Sequence, residues 1–298
     1  MQNVRFSIWL HTLPFGSKVL LTLTLVLGTA AFLSRYTTAG HLLIGVLLSM
    51  YGFTVLLAVT GGFWIRRNRL TAHGIDFDIV DFFLPVRPRE NKRILRDCAD
   101  GGIQSMVHRT PGDTWAYLDV VRSILLAIRR PTGTRRRALI LGGGTGSIGI
   151  GLITHRLADS VDLVEPSETI IQAARRYFVP TKVIPKMTWH QTGAMRFLRT
   201  ARGIYDVAIV DMFVGVRLAE DVAADTFFSA LRKRISSHGI VIVNFGIVPI
   251  PLERFADALP GMRFLLWHRN CIGLWSPDPR VVRLIRKDPE ISAFHLPG

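Results

Sequence analysis

The first 64 residues contain no aspartate or glutamate. A segment without acids cannot build the mixed-charge surface of a soluble domain, and its apolar runs point to lipid instead. Those runs are Val19–Phe32 and Leu42–Trp64, separated by the polar loop SRYTTAGH. A helical crossing needs about 20 residues. The second run has that length outright, and the first reaches it by extending back past Lys18 or forward to Tyr36. A cleaved signal peptide would need a small-x-small site before the second run, and no convincing one is there. Arg5 and Lys18 flank the first run, Arg35 stands alone in the loop, and Arg66, Arg67 and Arg69 follow the second. That asymmetry predicts two transmembrane helices in the cell inner membrane, with the N-terminus and the long C-terminal part in the cytoplasm.

Cysteine is also scarce. Cys98 and Cys271 show no CxxC or metal spacing, which excludes a disulfide framework and a cysteine-based zinc site and leaves two free thiols. The histidines His108, His190, His238 and His268 are scattered without an HxxxH pair, so no metal is expected. No serine or cysteine stands in a nucleophile-elbow pattern, and there is no internal repeat or low-complexity tract.

Positive charge is abundant. Only Arg5, Lys18 and Arg35 of the 37 basic residues precede position 64, which leaves 34 against the 22 acidic ones in the cytoplasmic part. The clusters IRRNR, RPRENKR and RRPTGTRRR lack aromatics interleaved at regular spacing, so no specific nucleic acid partner is expected. An anionic membrane lipid surface is the simpler partner for basic residues beside a membrane.

The most informative stretch is LILGGGTGSIGIG, residues 139–151. An apolar strand runs into a glycine turn, and a helix begins at Ser147. Backbone N–H groups in such a turn face an anionic or hydroxyl-rich ligand. Gly144-x-Gly146-x-x-Gly149 satisfies the dinucleotide fingerprint, and Gly142-x-Gly144-Thr145-Gly146 satisfies the turn of enzymes that bind S-adenosylmethionine. About 20 residues on, a strand over 161–165 ends in Glu165, where such folds hydrogen-bond ribose hydroxyls.

Downstream, apolar strands and helical stretches alternate. The expected strands are 138–141, 161–165, 187–190, 206–210, 240–245, 263–267 and 271–275. The expected helices are 147–157, 167–178, 193–201, 223–235 and 251–259, preceded by an amphipathic helix in TWAYLDVVRSILLAIRR. The pattern predicts an α/β fold, a doubly wound Rossmann-like sheet. Only HRN separates the last two strands, so they form a C-terminal antiparallel hairpin. That ending suits a methyltransferase-like fold and not a nicotinamide domain. The expected organisation is a two-helix anchor over 1–64, a connector with a short strand over 65–110, and a nucleoside-binding domain over 111–298.

From about Asp100 to Ser276 the chain resembles the spermidine synthase (polyamine aminopropyltransferase) family. DGGIQS, WAYLD, LILGGGTGS, VDLVEPSETIIQAARRYF, YDVAIVDMF and TFFSALRKRISSHGIVIVNF carry the resemblance. It is closest to the family's membrane-attached branch. The resemblance implies transfer of an aminopropyl group from decarboxylated S-adenosylmethionine to an amine. It implies Gly142, Gly144, Thr145, Gly146 and Glu165 as the nucleoside-binding set, Asp211 as proton acceptor and Tyr117 as a substrate residue. Four positions depart from the family's pattern. Leu118 replaces a polar residue after the tyrosine, Thr145 an aspartate of the turn, Thr192-Gly193 the Gly-Asp pair near the adenine, and Val214 the second aspartate after the proton acceptor. Thr145 restores a turn common among methyltransferases, so an S-adenosylmethionine-dependent methyltransferase is the alternative, and a non-catalytic nucleoside-binding relative is a third. A homo-oligomer stays open.

Overall fold

The computed structural model describes residues 63–83, 91–99, 101–108, 116–128, 135–214, 217–223, 225–247, 258–267 and 270–287, with Phe255. The expected anchor lies outside these residues except for its last two, Phe63 and Trp64, which open the first strand. Among the described residues no helix is long and apolar enough to cross a membrane.

Four strands occupy the stretch expected as a connector: β1 (Phe63–Ala72), β2 (Ile75–Phe83), β3 (Lys92–Asp97) and β4 (Ile103–His108), in the order β1-β2-β3-β4. β4 is the short strand expected there, and buried charge hid the other three from the hydrophobic pattern. On β1, Arg67 Nε donates to Asp81 Oδ2 at 2.7 Å, while on β3 Arg93 Nε donates to Asp81 Oδ1 at 2.6 Å. Burial alone would raise the Asp81 carboxyl, but the Arg93 and Arg67 hydrogen bonds hold it below the usual carboxylate range. Acids and arginines thus stand where an alternating strand normally shows apolar residues. By packing, the chain falls into two compact units. One holds β1 up to Arg69, β2 from Asp78 and the start of β3. The other joins residues 70–77 and 95–107 to the sheet that follows.

That second sheet has seven strands. They are β5 (Arg137–Leu141), β6 (Ser160–Val164), β7 (Met187–His190), β8 (Tyr205–Val210), β11 (Ile235–Ile247), β12 (Arg263–Trp267) and β13 (Asn270–Trp275). The short pair β9 (Phe213–Val214) and β10 (Arg217–Leu218) lies outside it. The sheet order is β12-β13-β11-β8-β5-β6-β7. Pairings among β7, β6, β5, β8 and β11 are parallel, and β13 runs antiparallel to both of its neighbours. This is the methyltransferase-like arrangement with its C-terminal hairpin. The central strands are apolar on both faces because both faces are covered. Leu139, Leu141, Ala208, Val210, Val241 and Val243 share one cluster, and all are essentially inaccessible to water.

The helices are α1 (Ala116–Ala127), α2 (Ser147–Thr154), α3 (Glu168–Ala173), α4 (Ala194–Thr200), α5 (Glu220–Ala223), α6 (Asp225–Arg232) and α7 (Pro279–Lys287). The helix expected over 167–178 is α3 followed by a wider π turn, Ala174–Phe178. The strand expected over 240–245 is the middle of the longer β11. The helix expected over 251–259 lies largely outside the described residues. α7 was not expected at all, since its charged sequence PRVVRLIRK hides a narrow apolar stripe, with Val281 and Val282 buried. What matters for function is the reversal at β5. The chain goes outward to β6 and β7, then returns to the other side of β5 as β8, which opens a crevice at the carboxyl ends of β5 and β8.

Candidate functional site

The glycine turn is fixed from both sides of β5. Gly142 N and Gly143 N donate to Val164 O at 3.1 and 2.9 Å, and Asp211 N donates to Leu141 O at 2.9 Å. Gly142 has φ +88°, and a Cβ there would stand 2.2 Å from the Asp211 carbonyl oxygen. No other residue fits. Two residues singled out separately in the sequence, Gly142 and Asp211, are therefore in backbone contact. Gly144 differs: a Cβ would meet nothing within 4 Å, so this corner of the turn is open. Gly146 caps α2 in the left-handed conformation. Trp189 is half-buried with its ring against Gly143 and Gly146.

Glu165 follows directly on β6 and is 6 % exposed. Its Oε2 accepts from Gly144 N at 3.0 Å, and its Oε1 accepts from Ser167 N at 3.0 Å. A third contact comes from His73, whose Nε2 lies 3.2 Å from Oε1. The Glu165 hydrogen bond raises the His73 imidazole above its usual value against the opposing effect of burial, and the carboxylate charge adds to the rise. His73 stands in the two-residue turn between β1 and β2, with φ 54° at His73 and 73° at Gly74. A carboxylate gathered in this way is an acceptor set for donors, which is what vicinal ribose hydroxyls supply.

Thr145 is buried at 1 % exposure, and its hydroxyl is hydrogen-bonded to Ser105 of β4. Ser105 also bonds Ser147 at 3.1 Å. The position that carries an aspartate in the resembled family is thus a neutral hydroxyl joined to two others. Tyr117 lies in the first turn of α1, and the next residue, Leu118, is core at 4 % exposure.

Asp211 follows β8 and is half-buried. Its Oδ1 accepts from Asn244 Nδ2 at 2.9 Å, and Asn244 Oδ1 in turn accepts from Gly246 N at 3.0 Å. Loss of water pushes its pKa up to about 6, with the Asn244 bond pulling the other way. A carboxyl so placed takes up and releases protons near neutrality, as a general base must.

Three residues of this site went unnoticed in the sequence: His73, Ser105 and Asn244. Asn244 left a signal, as the one polar residue inside the apolar run IVIVNF. His73 left a fainter one, a histidine before glycine where a tight hairpin favours asparagine. Ser105 left none.

A parallel sheet with a glycine turn after its first strand and a carboxylate after its second defines a nucleoside-binding α/β fold. Residues 125–259 match the spermine/spermidine synthase domain. The chain is 28 % identical over 142 residues to the spermidine synthase of Dictyostelium discoideum, covering 47 % of this chain and 49 % of the relative. It is 27 % identical over 187 residues to polyamine aminopropyltransferase 1 of Pseudomonas aeruginosa, covering 60 % and 63 % respectively. The matched region thus spans about half to just under two thirds of these relatives. Among solved structures, the spermidine synthase from Thermotoga maritima superposes with a TM-score of 0.56 at 16 % identity, covering 78 % of this chain and 85 % of that one. A spermidine synthase in complex with the transition state analogue AdoDATO gives 0.58 at 15 % identity with the same coverage. The fold built on the seven-stranded sheet is thus similar to that of the spermidine synthases.

Proposed function

We propose that this chain is a membrane-anchored transferase that moves an aminopropyl or related alkyl group from a sulfonium nucleoside, decarboxylated S-adenosylmethionine, to an amine. The Asp211 carboxyl carries the reading. It stands one strand from the glycine turn, in backbone contact with Gly142, and its pKa of about 6 suits a base working near neutrality. In the reaction the amine nitrogen forms a bond to the carbon beside the sulfonium. The carbon–sulfur bond breaks with its pair on sulfur, leaving a neutral thioether, and the amine's extra proton passes to Asp211. Gly144 N and Glu165 would position the nucleoside. The relatives' names supply the amine class, and the basic surplus of the chain argues against a highly charged polyamine as acceptor.

One observation favours a second reading, methyl transfer from ordinary S-adenosylmethionine. That donor carries a carboxylate which an acidic turn would repel, and here the turn has the neutral Thr145 tied to Ser105. Calorimetric titration of the detergent-solubilised full chain with both donors, methylthioadenosine and NAD separates the readings. Aminopropyl transfer requires tighter binding of the decarboxylated donor and turnover with an amine. Binding of NAD alone would overturn both.

The anchor belongs to the same proposal, supported by the acid-free 64 residues and the arginines that follow. Reporter fusions at Thr38 and Gly298 test it, with Gly298 expected on the cytoplasmic side. A periplasmic Gly298 would reverse the orientation.

A further inference from the structure

Away from the glycine turn, a cleft of about 570 Å³ runs beside the outermost strand β7 and under α4. It is lined by Arg137 and Tyr205, which open β5 and β8, and by His190 and Thr192. Arg196 of α4 and Arg202 of the loop behind it face the same space. Three guanidinium groups and an imidazole therefore share one cleft.

The nearby carboxylate is already engaged. Asp162 Oδ2 accepts from Arg137 Nε and Nη2 at 2.9 and 2.6 Å, and its Oδ1 lies 2.9 Å from His190 Nε2. Asp162 is 5 % exposed and sits behind the cleft, so it fixes Arg137 and His190 in place. Burial, with the Asp162 charge, keeps the Tyr205 phenol protonated well past neutral pH. Arg137 also lies over the Tyr205 ring, 4.7 Å from its centroid. Gly203 makes room for it, since a Cβ there would come within 2.8 Å of Arg137 Nη1. Arg196 and Arg202 are exposed, and neither has an ion-pair partner among the described residues. One guanidinium ordered by Asp162 and two without ion-pair partners among the described residues form a receptor for a multivalent oxyanion.

We infer that this cleft binds a phosphoryl group carried by a small molecule or a lipid headgroup. The inference goes beyond the transferase reading and does not depend on it. The volume falls within the usual range for small-molecule sites, about 300–1,000 Å³. It exceeds what a lone phosphate fills, which points to a diphosphate or a phosphate with an organic part. The cleft is joined to the nucleoside site by backbone, because His190 O accepts from both Glu165 N and Thr192 N at 3.1 and 2.9 Å.

The test is titration of the detergent-solubilised full chain with inorganic pyrophosphate, and separately with vesicles containing phosphatidylglycerol. The wild type is compared with the double variant Arg196→Gln/Arg202→Gln. Saturable pyrophosphate binding, weakened roughly tenfold or more in the double variant, is expected from the loss of two charge-assisted contacts. Methylthioadenosine affinity should be unchanged, which shows the variant folded. Vesicle binding lost in the variant and displaced by pyrophosphate would assign the lipid source, and pyrophosphate binding without vesicle binding the soluble one. Absence of saturable binding in both arms overturns the inference. So does equal binding by the variant, or competition between pyrophosphate and methylthioadenosine, which would place the anion in the donor site.

Discussion

Glu165 follows β6 inside a net of three contacts, from Gly144 N, Ser167 N and His73, whereas Asp211, on the other side of β5, has a single side-chain partner among the described residues, Asn244. Under the proposed transferase reading, the difference follows from what each carboxylate would do. A ribose acceptor is best surrounded by donors, which here come from Gly144, from Ser167 two residues on, and from His73, 92 residues away. A proton acceptor must be able to change charge. Few donors and little water leave Asp211 poised at about 6. Where the resembled family has a second acid the chain has Val214, and the turn offers Thr145 in place of another, so under the same reading the acceptor side would keep its base without the family's other carboxylates.

The contrast breaks most visibly at Asp211. Asp211→Asn should lower amine-dependent turnover by about 10²–10⁴-fold, the usual share of one general base. Methylthioadenosine affinity should be preserved, because the new amide oxygen can still accept from Asn244. Burial raises Asp211 above its unfolded value, so ionisation weakens the folded state as pH rises through about 6. The variant should therefore melt no lower than wild type at pH 8. Full activity in the variant would remove Asp211 from the mechanism.

A smaller effect is expected at the other end. Glu165→Gln replaces an acceptor pair with an amide that can satisfy only part of the donor net around it. Charge-assisted hydrogen bonds are worth about 1.5–3 kcal/mol, so nucleoside affinity should fall roughly tenfold or more. Calorimetry checks this, and an unchanged affinity in the folded variant would separate Glu165 from the ribose.

Asn244→Leu sharpens the comparison by removing the one donor on Asp211. That bond lowers the Asp211 pKa, so its loss should move the acidic limb of the pH–rate profile upward from about 6. Turnover should suffer most near pH 6 and recover in alkaline buffer. A uniform loss across the profile would instead indicate that Asn244 serves only Gly246 and the bulge of β11.

Much of the seven-stranded sheet was legible because it is buried on both faces and its strands read as unbroken apolar runs. Leu139–Leu141 and Val207–Val210 could hardly be anything else. The turn and Glu165 were legible because the backbone geometry needed there requires particular residues in fixed order. Of the four N-terminal strands only β4 was, since buried Asp78, Asp81 and Asp97 in β2 and β3 and the arginines of β1 conceal the alternation of the others. Nor were His73 and Ser105, whose partners lie 92 and 40 residues away in sequence, a separation no local pattern encodes. Thr145 was visible as a residue, but its engagement with Ser105 appears only once β4 is placed beside the turn.

The gentlest change tests whether the third contact on Glu165 shares the work of the net or competes with the ligand. His73 and Gly74 both have positive φ, the conformation of a tight two-residue hairpin turn, where asparagine is favoured. His73→Asn should thus keep the hairpin and shorten the side chain away from Glu165. The Glu165 hydrogen bond raises the His73 pKa above 6.5, so this contact is at full strength below pH 6.5 and is lost as pH rises through the raised value. Protonated His73 holds Oε1 most tightly in that acidic window, where ribose hydroxyls would need the same oxygen. Wild-type nucleoside affinity should therefore weaken on going from pH 8 to pH 6, while that of His73→Asn should stay level. His73 is 38 % exposed, so solvent screens the pair, and the two proteins should differ by only about two- to fivefold at pH 6. Calorimetry with methylthioadenosine at both pH values measures the slope. Parallel slopes for the two proteins would mean that His73 does not compete for the carboxylate. A variant weaker than wild type at pH 6 would mean that the imidazole helps to hold Glu165 for its ligand.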